Sequence, residues 1–122
     1  MYKPAKKEKN QTGIEGERIA LGWLRGQGFQ VLAQNWRHGR LEIDIIASQN
    51  GILHFVEVKT LWGFMGLHPE VHVTKTKIKN LKTAAAEYLY HHPQWQKIRF
   101  DVIAVTLSKE KEPEIFHIPD IY

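Results

Sequence analysis

Two stretches of the chain carry apolar residues at strand spacing and meet at a turn. Leu41-Glu-Ile-Asp-Ile-Ile-Ala47 and Ile52-Leu-His-Phe-Val-Glu-Val-Lys59 flank Asn50-Gly51, a dipeptide whose tolerance of positive φ is the strongest short hairpin signal. With Asn50-Gly51 as the turn, Gln49 pairs with Ile52. Counting back then sets Asp44 opposite Glu57 and Glu42 opposite Lys59. Strand side chains alternate faces, so all four project from one side. Directly opposed carboxylates, with Cβ atoms about 5 Å apart, repel each other. A fold that keeps them ordinarily has a cation between them.

The remaining pattern supplies two helices and three more strands. Residues 1–11 read as a disordered basic tail. Thr12 with Glu15 reads as a capping box, opening a helix from Gly13 to Arg25 that stops near Gly26 and Gly28. Its apolar side is Ile14, Ala20, Leu21 and Leu24, with Glu17 inside that stripe. Phe29 to Trp36 reads as a strand, and Arg37-His-Gly-Arg40 as a basic turn. Residues 61–72 read as a mobile loop. A second helix starts with Thr74 as N-cap and runs to about Tyr90, its apolar side formed by Ile78, Leu81, Ala84, Ala85 and Tyr88. Strands follow at Ile98–Leu107 and Glu114–Ile118. The order implies an α/β domain over 12–122. Its mixed central sheet is an antiparallel meander plus a parallel strand, flanked by helices.

Composition narrows the function classes. The chain has 122 residues, enough for one domain with a real core. It has no cysteine, which removes disulfides and thiolate metal sites and favours a reducing, cytoplasmic address. No apolar run is long enough to span a bilayer, so no membrane partner is expected. The net charge of +4 and a pI near 9.4 favour an anionic partner, nucleic acid first.

Asp44, Glu57 and Lys59 form the strongest candidate set: two acids and an ammonium group are the parts for metal-assisted phosphodiester cleavage. Oxygen donors without Cys or His suit Mg²⁺ or Mn²⁺. The plain alternative is a solvated sheet face with a Glu42–Lys59 ion pair. Glu17 is either a helix N-terminal acid favoured by the dipole or a third metal-binding carboxylate. Lys77 lies among the apolar positions of the second helix and is placed to reach the end of the sheet. Lys75, Lys79 and Lys82 form a stripe that is either a solvated face or a phosphate track. Arg37 and Arg40 are further phosphate-binding candidates. Asp101 is a buried polar group, structural or supporting the site. Trp62 and Phe64 either stack on bases or anchor their loop. The spacings of His68 with His72, and of His91 with His92, match no zinc site.

These residues resemble the YraN-like family of small bacterial proteins, whose expected fold is that of the PD-(D/E)xK nucleases. The resemblance rests on Gly16-Glu17-Arg-Ile-Ala20, Glu42-Ile-Asp44-Ile-Ile-Ala47, Phe55-Val-Glu57-Val-Lys59, the stretch from Thr74 through Lys77 to Ala85, and Arg99-Phe-Asp101-Val102. The helix Glu, strand Asp and following E-x-K are also similar to archaeal Holliday-junction resolvases. That likeness implies a restriction-endonuclease-like core. It further implies that Glu17, Asp44 and Glu57 hold Mg²⁺ or Mn²⁺ while Lys59 orients the nucleophile, with branched DNA as substrate. A two-fold-symmetric substrate would suit a homodimer. Where the family usually has glycine before Glu42, this chain has Leu41. Two other classes stay open: a non-catalytic nucleic-acid-binding module of the same fold, and a protein-interaction partner docking through the aromatic loop.

Overall fold

The structure is a computed structural model and describes residues 10–63 and 73–121. The expected basic tail up to residue 9 lies outside the described residues, as do residues 64–72 of the expected loop, including Phe64, His68 and His72; the first two residues of that loop, 61 and 62, are strand instead. The elements are α1 (Gln11–Gly26), β1 (Gln30–His38), β2 (Leu41–Gln49), β3 (Ile52–Trp62), α2 (Lys75–His91), β4 (Lys97–Leu107) and β5 (Glu114–Ile118).

One five-stranded sheet runs in the order β1-β2-β3-β4-β5. β3 and β4 are parallel and the other three pairs antiparallel. This is the α/β mixed sheet expected from the pattern. The hairpin forms as read: Gln49 pairs with Ile52, and Asn50 and Gly51 both take positive φ, 53° and 78°, the type I′ geometry that matches strand twist. The helices cover opposite faces. On α1's side, Ala20 and Leu24 pack with Ile45, Val56 and Ile103. On α2's side, Leu81, Ala84 and Tyr88 pack with Ile46, Leu53 and Phe55. Both faces of the central strands are therefore apolar.

Three local expectations are corrected. The N-cap of α1 is Asn10, whose Oδ1 accepts from the Gly13 amide at 2.8 Å. Asn caps at least as well as Thr, and the Thr12 hydroxyl is taken by the Trp62 indole N–H at 3.2 Å. Glu15 bonds Arg18. The helix thus begins inside the stretch read as a disordered tail. Second, Ile14 is half-exposed; the buried side of α1 is Gly16, Glu17, Ala20 and Leu24. Third, the alternation of β2 slips. Ile43 and Ile46, three apart, both face α2, while Ile45 and Ala47 face α1. The slip falls at Asp44. Across the ladder, Gln34 pairs with Ile45 and Trp36 with Ile43, and Asn35 between them sits at φ 50°. A left-handed residue re-aims its strand.

Candidate metal and phosphate site

That slip shapes the site. Pairing of β2 with β3 ends at Ile45↔Val56, one step short of the predicted Asp44–Glu57 opposition. The register holds from Gln49↔Ile52 to Ile45↔Val56, but Asp44 with Glu57, and Glu42 with Lys59, are not paired as expected. Instead the Val58 amide donates to Asp44 Oδ2 at 2.9 Å, a side chain standing in for a backbone acceptor. Beyond this point Glu42 turns to Arg37, at 2.8 Å. The strands diverge around a cavity of about 420 Å³.

Most of the candidates converge on this cavity. Glu17, Arg37, Arg40, Glu42, Asp44, Glu57, Lys59 and Lys77 all line it. Helix α1 brings Glu17 in through a close approach: a Cβ on Gly16 would lie 1.8 Å from Thr60 Oγ1 on β3, so only glycine lets the helix sit this near. Leu41 forms part of the wall. Helix α2 brings Lys77. The Thr74 cap, as read, accepts from the Lys77 amide at 3.1 Å. Its ammonium lies 3.3 Å from Glu57 Oε2, closer than Lys59 at 3.7 Å. The Lys77–Glu57 contact was missed in the sequence because it joins helix to strand across many residues. The placement of Lys77 among apolar positions was its signal.

Glu57 is the group under tension. It is 4% exposed. Its Oε2 receives both lysines, while Oε1 is buried and has no hydrogen-bond partner among the described residues. Burial, then the neighbouring charge of Asp44, push its pKa up to about 7 against the pull of Lys77 and Lys59. An oxygen left without a donor, beside a second carboxylate, is short of positive charge.

The remaining candidates lie elsewhere. Lys75, Lys79 and Lys82 are exposed on α2 and are absent from the cavity lining. Asp101 is 1% exposed and does not line the cavity either. It accepts from His54 Nδ1 at 2.7 Å, His117 Nε2 at 3.0 Å and the Asp120 amide at 3.0 Å. Burial works against its charge, but these donors outweigh it and hold the carboxyl well below its ordinary range. Trp62 is 58% exposed, its indole tied to Thr12 on the cavity rim.

A model of the family described as "Uncharacterised protein family UPF0102" matches residues 16–105. The chain belongs to the UPF0102 family. Among UPF0102 proteins, it is 36% identical over 114 residues to one from Mycolicibacterium vanbaalenii, covering 91% of this chain and 93% of that protein. It is 44% identical over 104 residues to one from Chlorobaculum parvum, covering 84% and 81%. It is 42% identical over 103 residues to one from Porphyromonas gingivalis, covering 84% and 76%. The match starts at Gly16, the residue that seats α1 on β3, and spans Asp44, Glu57, Lys59 and Lys77.

The donor set fits a hard divalent cation. Mg²⁺ is commonly held by one or two carboxylates and keeps several waters for substrate to replace; Asp44 and Glu57 offer that number, with one oxygen unclaimed. Among the described residues, no three His, Asp or Glu side chains are grouped to hold an ion by themselves; Glu17 lines the cavity with Asp44 and Glu57.

No helix among the described residues is long and apolar enough to cross a membrane.

Proposed function

We propose that this UPF0102 protein hydrolyses nucleic-acid phosphodiesters with a divalent metal, on a restriction-endonuclease-like core, with DNA as the favoured substrate. One observation carries the reading: buried Glu57 keeps an unpartnered oxygen beside Asp44 while two lysines share its other oxygen. Retaining two close acids without enough donors costs stability, and a cation site explains the retention.

Asp44 and Glu57 would hold Mg²⁺ or Mn²⁺, with Glu17 approaching from α1 through water. A bound ion would supply neutralising charge at the scissile phosphate and acidify a coordinated water. The chain's own groups do the positioning. The Val58 amide fixes one oxygen of Asp44 at the cavity. Lys59, two residues beyond Glu57 on the same strand, holds the attacking water and favours its deprotonated form. Lys77, Arg37 and Arg40 meet the phosphates at the mouth. The exposed stripe of Lys75, Lys79 and Lys82 extends that basic path along α2.

The test is cleavage of branched, single-stranded and duplex DNA with Mn²⁺ or Mg²⁺ by the wild type, Asp44→Ala and Glu57→Ala. The reading expects turnover that needs metal and falls at least a hundredfold in either variant. Metal-dependent turnover unchanged in both variants overturns it. Salt-sensitive binding without turnover on any substrate leaves a binding module in its place.

A further inference from the structure

Lys77 occupies an odd place for a cation. It is the third residue of α2, at the helix end whose dipole repels positive charge. No acid stands in the first turn of α2, and Lys75 and Lys79 flank it. Nothing on its own helix draws it there. What holds it is Glu57, from the facing strand, at 3.3 Å. The two lysines on that carboxylate are also not equivalent. Lys59 shares a strand with Glu57 and its backbone cannot move away. Lys77 reaches in from another element. The two side chains are equally exposed, 37% and 38%, so what sets Lys77 apart is its place on a separate helix, from which its ammonium can swing to solvent without repacking the core.

Resting on the metal-site reading above, we propose that Lys77 is an exchangeable counter-ion. It neutralises Glu57 while no divalent ion is bound. It leaves when an ion is held by Glu57 and Asp44, and then binds a substrate phosphate. Both halves follow from charge. A dication on the open oxygen of Glu57 satisfies that carboxylate and repels an ammonium a few ångströms away. The released ammonium stays beside the amino-terminal end of α2, where the dipole and neighbouring lysines repel cations and favour an anion. A phosphate entering the cavity meets it there. Lys77 therefore competes with metal when substrate is absent and binds substrate when metal is present. Metal and nucleic acid must then strengthen each other's binding, by an equal factor in both directions.

The experiment measures Mn²⁺ binding by calorimetry for the wild type, Asp44→Asn, Lys77→Met and Lys77→Arg. Each is run with and without a short DNA oligonucleotide whose internucleotide linkages are nuclease-resistant phosphorothioates, its integrity checked after each titration. Thermal melts check that each variant is folded. Without DNA, Lys77→Met is expected to bind Mn²⁺ about tenfold more tightly than wild type, because the competing cation is gone. DNA is expected to tighten Mn²⁺ binding to wild type by roughly five- to fiftyfold, to do so in part for Lys77→Arg, and not at all for Lys77→Met. If Lys77→Met binds Mn²⁺ no more tightly than wild type, or if DNA tightens both equally, the exchange is overturned while the metal site stands. If wild type binds no Mn²⁺, or Asp44→Asn binds it as well as wild type, the metal site and the exchange fall together.

Discussion

Asp101 and Glu57 are acids sunk into neighbouring parallel strands, 1% and 4% exposed, and the fold treats them in opposite ways. Asp101 is surrounded by donors: two imidazoles and a backbone amide. Glu57 faces another carboxylate, and one of its oxygens has no hydrogen-bond partner among the described residues. The first carboxyl is held well below the usual range and the second is pushed up to about 7. A satisfied buried acid ties strands together. An under-satisfied one is a candidate for a binding site, and that is the ground of the metal reading proposed above. Asp101 joins β3, β4, β5 and the segment after β5 into one network, and that is its structural role.

The largest expected effect tests the satisfied site. Asp101→Ala leaves His54, His117 and the Asp120 amide without their acceptor and is expected to cost about 3 kcal/mol of unfolding free energy in urea titrations. Its pH signature has a definite sign. A carboxyl whose folded pKa lies below its unfolded value, about 3.9, stabilises fully above that value and loses the contribution as pH falls through the folded one. The gap between wild type and Asp101→Ala should close as acidification carries the pH below the unfolded carboxyl value of about 3.9. A gap that persists at low pH would show that packing, not charge, underlies the network.

Gly16→Ala comes next and should strike the other region alone. The new methyl would meet Thr60 at distances no real Cβ shows, so α1 must lift from β3. Overpacking of this kind costs about 1–3 kcal/mol, reduced by the helix preference of Ala over Gly. Thr60→Ala in the same chain removes the nearest oxygen and a methyl and should recover part of the loss. The imidazole resonances of His54 and His117 should stay in place while Mn²⁺ affinity falls, because Glu17 moves with its helix. Shifted imidazoles would mean that the two regions are mechanically coupled.

Glu57→Gln should reverse the sign seen at Asp101. With the folded pKa raised above the ordinary 4.5 to about 7, neutral Glu57 favours the fold at low pH. That advantage is fully present below about 4.5 and is lost as pH rises through 7. Without metal at pH 8, the uncharged amide is therefore expected to stabilise by roughly 1 kcal/mol, seen as a higher melting temperature. In the wild type, Mg²⁺ should raise the melting temperature more at pH 8 than at pH 5, where protons occupy the site. Destabilisation by Glu57→Gln at pH 8 would show that the two lysines already satisfy the carboxylate.

What could be read from the chain alone follows the reach of each interaction. The hairpin register came from two adjacent residues, Asn50 and Gly51, and the start of α2 from one threonine three positions before the amide it caps. The convergence of Asp44 with Glu57 followed from that register by arithmetic. The end of the ladder did not: it falls at Asp44, which sits across from the left-handed Asn35 of β1. A trace was visible: Ile45-Ile46-Ala47 is apolar without alternation, the pattern of a strand buried on both sides. The cap of α1 was misplaced because Asn10 and Thr12 both suit an N-cap; Asn10 takes it, and the Thr12 hydroxyl accepts from Trp62 instead. The seating of Gly16 on Thr60 and the Asp101 network join distant segments, and neither leaves a local signal.

The smallest expected effect concerns a region at the surface and outside the cavity: the exposed lysines 75, 79 and 82. Each Lys→Ala there should change folding stability by less than about 0.5 kcal/mol, since surface substitutions away from networks rarely do more. Binding is where they should register. A lysine that neutralises a phosphate releases a counterion, so each one removed should flatten the slope of log affinity against log salt by about 0.9 on duplex DNA. Lys77→Met should give a similar change in slope only when divalent metal is present, because without it that ammonium is occupied by Glu57. A stripe that leaves the slope untouched is a solvated face, and the basic path along α2 then ends at the cavity mouth.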